Sequence, residues 1–246
     1  MIPQSGLDRD LSAVPSVGSV VVRSPMDRSQ VRQGVNSAYT RLKARLCTNH
    51  YPPGTPLGAD ALAHDLEMGA TAVREALIWL AAERLTEFDP HSGFVVKRAT
   101  QSEIADLYNL NQDLLEAVAA RIDRTVAASD GARLFHQARR ICETDGWTSA
   151  GFAELTGRLF HAIAGRSDNA EAVYAVSGIS DRLHGVRCVE WAVLPAAAAE
   201  LAELCHIFYR AEPGELSGSL TAYHAYRLAR IEEICDAFGK TALIAA

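Results

Sequence analysis

Between Val35 and Lys97 the spacing of apolar residues changes once, from helical to alternating, and this restricts the fold more than any other feature of the chain. Val35, Tyr39, Leu42 and Leu46 recur at the spacing of an amphipathic surface helix, with Arg41, Lys43 and Arg45 on its other faces. Tyr51-Pro52-Pro53-Gly54 ends that helix, because proline has no amide donor and glycine frees the backbone. Ala59 to Leu66 then forms a second, short helix. Glu67 to Ala70 makes a turn containing Gly69, and Thr71 to Arg84 makes a third helix with Val73, Leu77 and Leu80 inward. Leu85 to Phe88 and Phe94 to Lys97 flank Asp89-Pro90-His91-Ser92-Gly93, the signature of a β-hairpin with a glycine-containing loop.

Three helices followed by a hairpin make a winged helix-turn-helix, whose third helix suits a major groove while the wing follows the backbone. Residues 1–33 mix Pro, Gly, Ser and Val without a period and read as a flexible N-terminal arm. Thr100-Gln101-Ser102-Glu103 is a capping box that starts a new helix, so one domain spans 34–99 and a second 100–240. Beyond that boundary Asp168-Asn169-Ala170-Glu171 opens one helix and Pro195, ahead of four alanines, opens another. About six helices and no strand are expected there. The fold class is therefore mainly α, a winged helix-turn-helix followed by an all-α helical bundle.

A chain of 246 residues with 48% hydrophobic content has enough apolar surface for two modest cores. It has neither a leader pattern nor an apolar run that would cross a bilayer, so a cytoplasmic protein without a membrane partner is expected. Cys47, Cys142, Cys188, Cys205 and Cys235 are odd in number and form no CxxC pair, which argues against a disulfide framework or a thiolate zinc site. A net charge of −6 argues against a protein that coats nucleic acid, so charge has to be read locally. Between residues 31 and 98, eight basic side chains face seven acids from Asp60 to Asp89, a neutral balance for a DNA module.

Tyr51-Pro52-Pro53-Gly54, Leu57, Leu62-Ala63, Leu66, Thr71, Val73-Arg74-Glu75-Ala76-Leu77, Leu80, Glu83, Leu85 and Gly93 stand without a gap in a pattern that resembles the GntR family of regulators. The resemblance implies that Thr71 and Arg74 face the groove, that Arg45 adds a DNA contact, and that His91, Ser92 and Gly93 form the wing tip. It also implies a homodimer on an inverted-repeat operator in double-stranded DNA. Gly69, Ala70 and Asp60 depart from the family, which places polar or basic side chains there. They motivate an alternative, a divergent member that has lost DNA recognition and serves as a ligand-binding or interaction module.

Leu159-Phe160-His161, followed by Asn169, makes the second half resemble the FCD ligand-binding domain of the FadR subgroup. That resemblance implies a small-molecule effector and a divalent metal, Zn or Ni, held by His161, His206 and His224. The family's Asp ligand position is here Gly157, and the frequent Arg of the first sensing helix is replaced near Asn111. Arg158, Arg182 and Arg187 are the candidate effector-binding cations, since small carboxylates need a positive group facing the bundle. His184 and Trp191 read as packing residues. An enzyme built on the three histidines lacks a general base at fitting spacing, so a regulator rather than an enzyme is expected.

Overall fold

The computed structural model describes residues 28–122, 129–144, 146–210 and 213–244. Residues 1–27 of the expected arm lie outside them. Helix α1 (Arg28–Cys47) takes in residues 28–33, which the sequence reading placed in the arm. That stretch contains neither Pro nor Gly, so the helix runs back through it. One face of α1 buries Val35, Ala38, Leu42 and Leu46. It packs on α3 (Ala70–Ala82), with α2 (Ala59–Asp65) alongside, around a core of Leu42, Leu62, Leu66, Val73, Leu77 and Leu80.

Strands β1 (Thr86–Asp89) and β2 (Gly93–Val96) pair antiparallel, with Thr86 opposite Val96 and Asp89 opposite Gly93. Gly93 closes the turn at φ +77°, a conformation that a side chain would strain. The connection from α1 to α2 runs along the other edge of β2. Gly54 N donates to Val96 O at 2.8 Å, Leu57 N to Phe94 O at 2.7 Å, and Val96 N to Thr55 O at 3.0 Å. The Pro-Pro-Gly segment therefore covers a strand edge as well as stopping a helix.

Helix α4 (Gln101–Ala119) opens with the expected capping box: Glu103 N donates to Thr100 Oγ1 at 3.2 Å and Thr100 N to Glu103 Oε2 at 2.9 Å. The bundle continues through α5 (Ser129–Glu143), α6 (Ser149–Ala164), α7 (Ala170–Val193), α8 (Ala197–Arg210), α9 (Pro213–Ala229) and α10 (Ile231–Ile244). Asn169 caps α7, its Oδ1 accepting from Glu171 N and Ala172 N. Seven helices appear among the described residues where about six were expected. The break between α9 and α10 falls at Arg230, with no Pro or Gly to mark it. Among the described residues no strand follows Val96, and no single helix is long and apolar enough to cross a membrane.

The two cores are separate clusters, and α1 meets α7 between them. Lys43 Nζ lies 2.7 Å from Asp181 Oδ2, Cys47 Sγ donates to Asp181 O at 3.6 Å, and Asn49 Nδ2 donates to Gly185 O at 3.2 Å. All three links fall on one turn of α7. Burial works against the Lys43 ammonium, but Asp181, Tyr39 and Glu83 together outweigh it and hold its pKa above that of an ordinary lysine.

Candidate functional site

Helix α3 turns one face inward and leaves Thr71, Arg74, Glu75 and Ile78 exposed, positions that share a face at helical spacing. Its N-cap is Gly69, which supplies no capping side chain, so Thr71 lies inside the first turn rather than at the cap. Among the described residues no side chain caps the first amides of α3, and the helix dipole favours an anion there. Arg74 makes no ion pair among the described residues. Glu83, an acid that would neutralise it, instead accepts from Tyr39 Oη at 2.6 Å and Lys43 Nζ at 2.9 Å.

Arg45, expected at DNA, has a different placement. Its Nη1 pairs with Asp65 and donates to Tyr51 Oη at 2.8 Å, tying α1 to α2, and Asp65 raises its pKa before Tyr51 does. Its neighbours on α1 are likewise engaged within the protein: Arg41 Nη1 donates to Leu66 O at 2.7 Å, and Lys43 pairs with Glu83 of its own domain and Asp181 of the bundle. At the wing, His91 and Ser92 are exposed beside Gly93. Asp89 Oδ1 accepts from His91 N at 2.9 Å, Ser92 N at 2.7 Å and Ser92 Oγ at 2.8 Å, which fixes the tip. The Ser92 hydroxyl, then the two amides, holds the Asp89 carboxyl below the usual range.

The three candidate metal ligands do not come together. His161 is exposed on α6 with Nδ1 2.9 Å from Ser177 Oγ. His206 stacks on Phe135, with ring centroids 5.0 Å apart. His224 is buried, with Leu220 O 2.7 Å from Nδ1 and Asn111 Nδ2 2.9 Å from Nε2, so neither ring nitrogen offers a free lone pair. Among the described residues no three His, Cys, Asp or Glu side chains are grouped to hold a metal. With Gly157 at the carboxylate position, these residues do not fit the Zn or Ni centre that the resemblance implied.

The candidate effector arginines occupy three different environments. Arg158 lies at the rim of a cleft of about 390 Å³, donating to Gln137 Oε1 at 2.8 Å. Arg182 faces the junction with the first domain, where burial and then Arg84 lower its pKa. Arg187 is fully buried in the bundle with its guanidinium 5.0 Å from the Phe160 ring. Sequence reasoning missed a second buried arginine. Arg227 Nε donates to Glu190 Oε2 at 2.7 Å, its Nη1 to Glu200 Oε2 at 2.6 Å and Tyr223 O at 3.0 Å, and Glu190 also accepts from Tyr108 Oη. Glu190, Glu200 and Tyr108 lie on helices other than that of Arg227, and no local spacing signals them.

Residues 35–96 match the profile of "Bacterial regulatory proteins, gntR family". An HTH-type transcriptional regulator in an unstable DNA locus of Streptomyces ambofaciens is 27% identical over 161 residues, covering 64% of this chain and 67% of that one. The Nta operon transcriptional regulator of Aminobacter aminovorans is 28% identical over 143 residues, 58% of this chain and 68% of its own. Among solved structures, a GntR regulator from Rhodococcus sp. RHA1 superposes with a TM-score of 0.72 at 16% identity, covering 82% of this chain and 98% of its own. McbR/YncC of E. coli does so at 0.64 and 18%, covering 81% and 97%; both share the fold across the two domains. With the exposed face of α3 and the wing behind it, these likenesses identify the chain as a transcriptional regulator, not an enzyme, whose residues 35–96 form a GntR-family helix-turn-helix DNA-binding domain.

Proposed function

We propose that this chain is an effector-controlled regulator that binds an inverted-repeat operator as a cytoplasmic homodimer, with the bundle as an FCD-like ligand-binding and dimerisation domain. The observation that carries the reading is the outer face of α3: Thr71 and the unpaired Arg74 stand exposed near an uncapped helix start. Arginine's planar fork suits guanine or phosphate, and Ile78, 52% exposed, suits a thymine methyl group. His91, Ser92 and Gly93 at the wing tip then meet the flanking backbone. Two such heads on one dimer offset the neutral charge balance through effective concentration.

Arg74→Ala is the test. Titrated against DNA from upstream of its own gene, the variant is expected to lose about 1–3 kcal/mol of operator affinity while its melting temperature is unchanged. A variant that keeps the full preference for that DNA over random duplex removes Arg74 from the reading face, and a wild type that shows no such preference is instead a member that has lost DNA recognition, as Gly69, Ala70 and Asp60 would then explain.

A further inference from the structure

The seam between the two domains has more positive charge than its acids can answer. Arg84, which follows the C-cap of α3, and Arg182 on α7 line one small cavity of about 60 Å³ there, each contributed by a different domain. Neither guanidinium makes a hydrogen bond or an ion pair among the described residues. The acids within reach are committed elsewhere. Asp181, in the cavity wall, pairs with Lys43 at 2.7 Å. Glu103 sets one oxygen 3.1 Å from Lys97 Nζ and accepts from Thr100 N with the other at 2.9 Å. Burial and then the charge of Arg84 lower the pKa of Arg182, against the pull of Glu103, so the two cations act on each other across the seam. Like charges facing each other across an interface push it open, unless an anion sits between them.

We propose that this seam binds a small tetrahedral oxyanion of the phosphate class, which bridges Arg84 of the DNA-binding domain and Arg182 of the bundle and clamps the two domains in one arrangement. Each guanidinium fork donates a parallel pair of hydrogen bonds. A phosphate group has oxygens enough for both forks at once, and its charge of about −1.5 to −2 near neutral pH answers both cations. A carboxylate, with two oxygens and a single charge, satisfies only one fork. The cavity exceeds the roughly 10–15 Å³ that one water needs, yet is too small for the body of a metabolite. Lys97, in the same wall and shared between Glu87 and Glu103, adds to the positive potential. The site shares Asp181 alone with the cleft between α6 and α7, so it does not depend on the reading of the bundle as an effector domain. Because Arg84 stands at the exit of α3, the clamp fixes how the DNA-reading helix is held against the bundle.

The test is isothermal titration of the full chain with sodium phosphate and with glycerol 3-phosphate, against sodium acetate and sodium chloride at matched ionic strength. Saturable binding of one phosphate group per chain is expected, and Arg84→Gln and Arg182→Gln should each weaken it by about tenfold or more. Equal affinities assign the site to free phosphate and tighter binding of the ester to a phosphorylated metabolite; both uphold it. Without phosphate, each variant should melt at or above the wild type, because a like-charge contact has gone. Amide exchange at residues 48–51, where α1 meets α7, should slow with phosphate in the wild type and not in the variants. The proposal is overturned if neither phosphate compound saturates, if acetate or chloride binds equally well, or if both variants keep the wild-type affinity, the mark of an adventitious ion only. Operator titration on the same samples separates the readings: intact DNA binding without phosphate binding sinks this inference alone, whereas phosphate binding without any DNA preference sinks the regulator.

Discussion

His224 sits with Leu220 O beside one ring nitrogen and the Asn111 amide beside the other. A carbonyl can only accept, so Nδ1 carries the proton and Nε2 is left to accept from Asn111 Nδ2; the neutral ring thereby dictates how the amide is turned. Burial pushes the pKa down to about 3, Arg187 and Arg227 push it the same way, and the Leu220 carbonyl opposes them. Unfolded, the ring titrates near its ordinary value of about 6.5, so between these limits the unfolded chain binds the extra proton. The stabilising contribution is whole above about pH 6.5 and is lost as pH falls toward 3, at about 1.4 kcal/mol per unit. Urea denaturation at pH 7 and pH 5 should therefore show a loss of about 2 kcal/mol that His224→Gln lacks. The variant should start about 1–3 kcal/mol lower at pH 7, because Asn111 and Leu220 lose a fitted partner. Equal pH slopes for the two proteins would contradict this account.

At the scale of elements, α7 is shaped by what approaches it. A Cβ at Gly185 would stand 2.2 Å from Asn49 Oδ1 and 2.7 Å from Asn49 Cγ, so the end of α1 can close on α7 only over a residue without a side chain. Gly185→Ala should gain about 1 kcal/mol of helix propensity and forfeit the Asn49–Gly185 hydrogen bond, leaving global stability nearly level. Amide exchange at residues 48–51 is the sensitive readout and should quicken; unchanged protection there would show that Asn49 adapts without loss. This contact also marks the limit of what the sequence discloses. The winged helix-turn-helix, the capping box at Thr100 and the Asn169 cap were legible because each is written in residues a few positions apart. Arg227 with Glu190 and Tyr108 with Glu190 are separated by 37 and 82 residues, and no periodicity encodes such pairs. The Arg45–Asp65 pair was illegible for the same reason: the two residues belong to different helices. The metal ligands expected by resemblance failed at this scale too, since His161, His206 and His224 ended in three separate environments.

Across the whole molecule, Asp181 stands where the two domains and the cleft meet. Its carboxylate lines the cleft and pairs with Lys43, and Lys43 also holds Glu83 at 2.9 Å, the residue that ends α3. A molecule bound between α6 and α7 would touch a side chain two contacts away from the DNA-reading helix. Both members of the Lys43–Asp181 pair are partly exposed, at 23% and 34%, so the link is worth at most about 1 kcal/mol. That is weak enough for an effector to bias and strong enough to shift a balance between two domain arrangements. Asp181→Asn removes the charge while keeping the side-chain shape, and Lys43 keeps Glu83 as its counter-ion. Operator affinity without effector should then stay within about twofold of the wild type, since α3 is untouched, while the ratio of affinities with and without effector should shrink by up to about fivefold, the amount that ~1 kcal/mol represents. Paired anisotropy titrations of both proteins, at low and high salt, measure that ratio. High salt should diminish it in the wild type and leave the variant unmoved, because screening and substitution remove the same interaction; a variant that retains the full ratio at both salts would place the coupling elsewhere on α7.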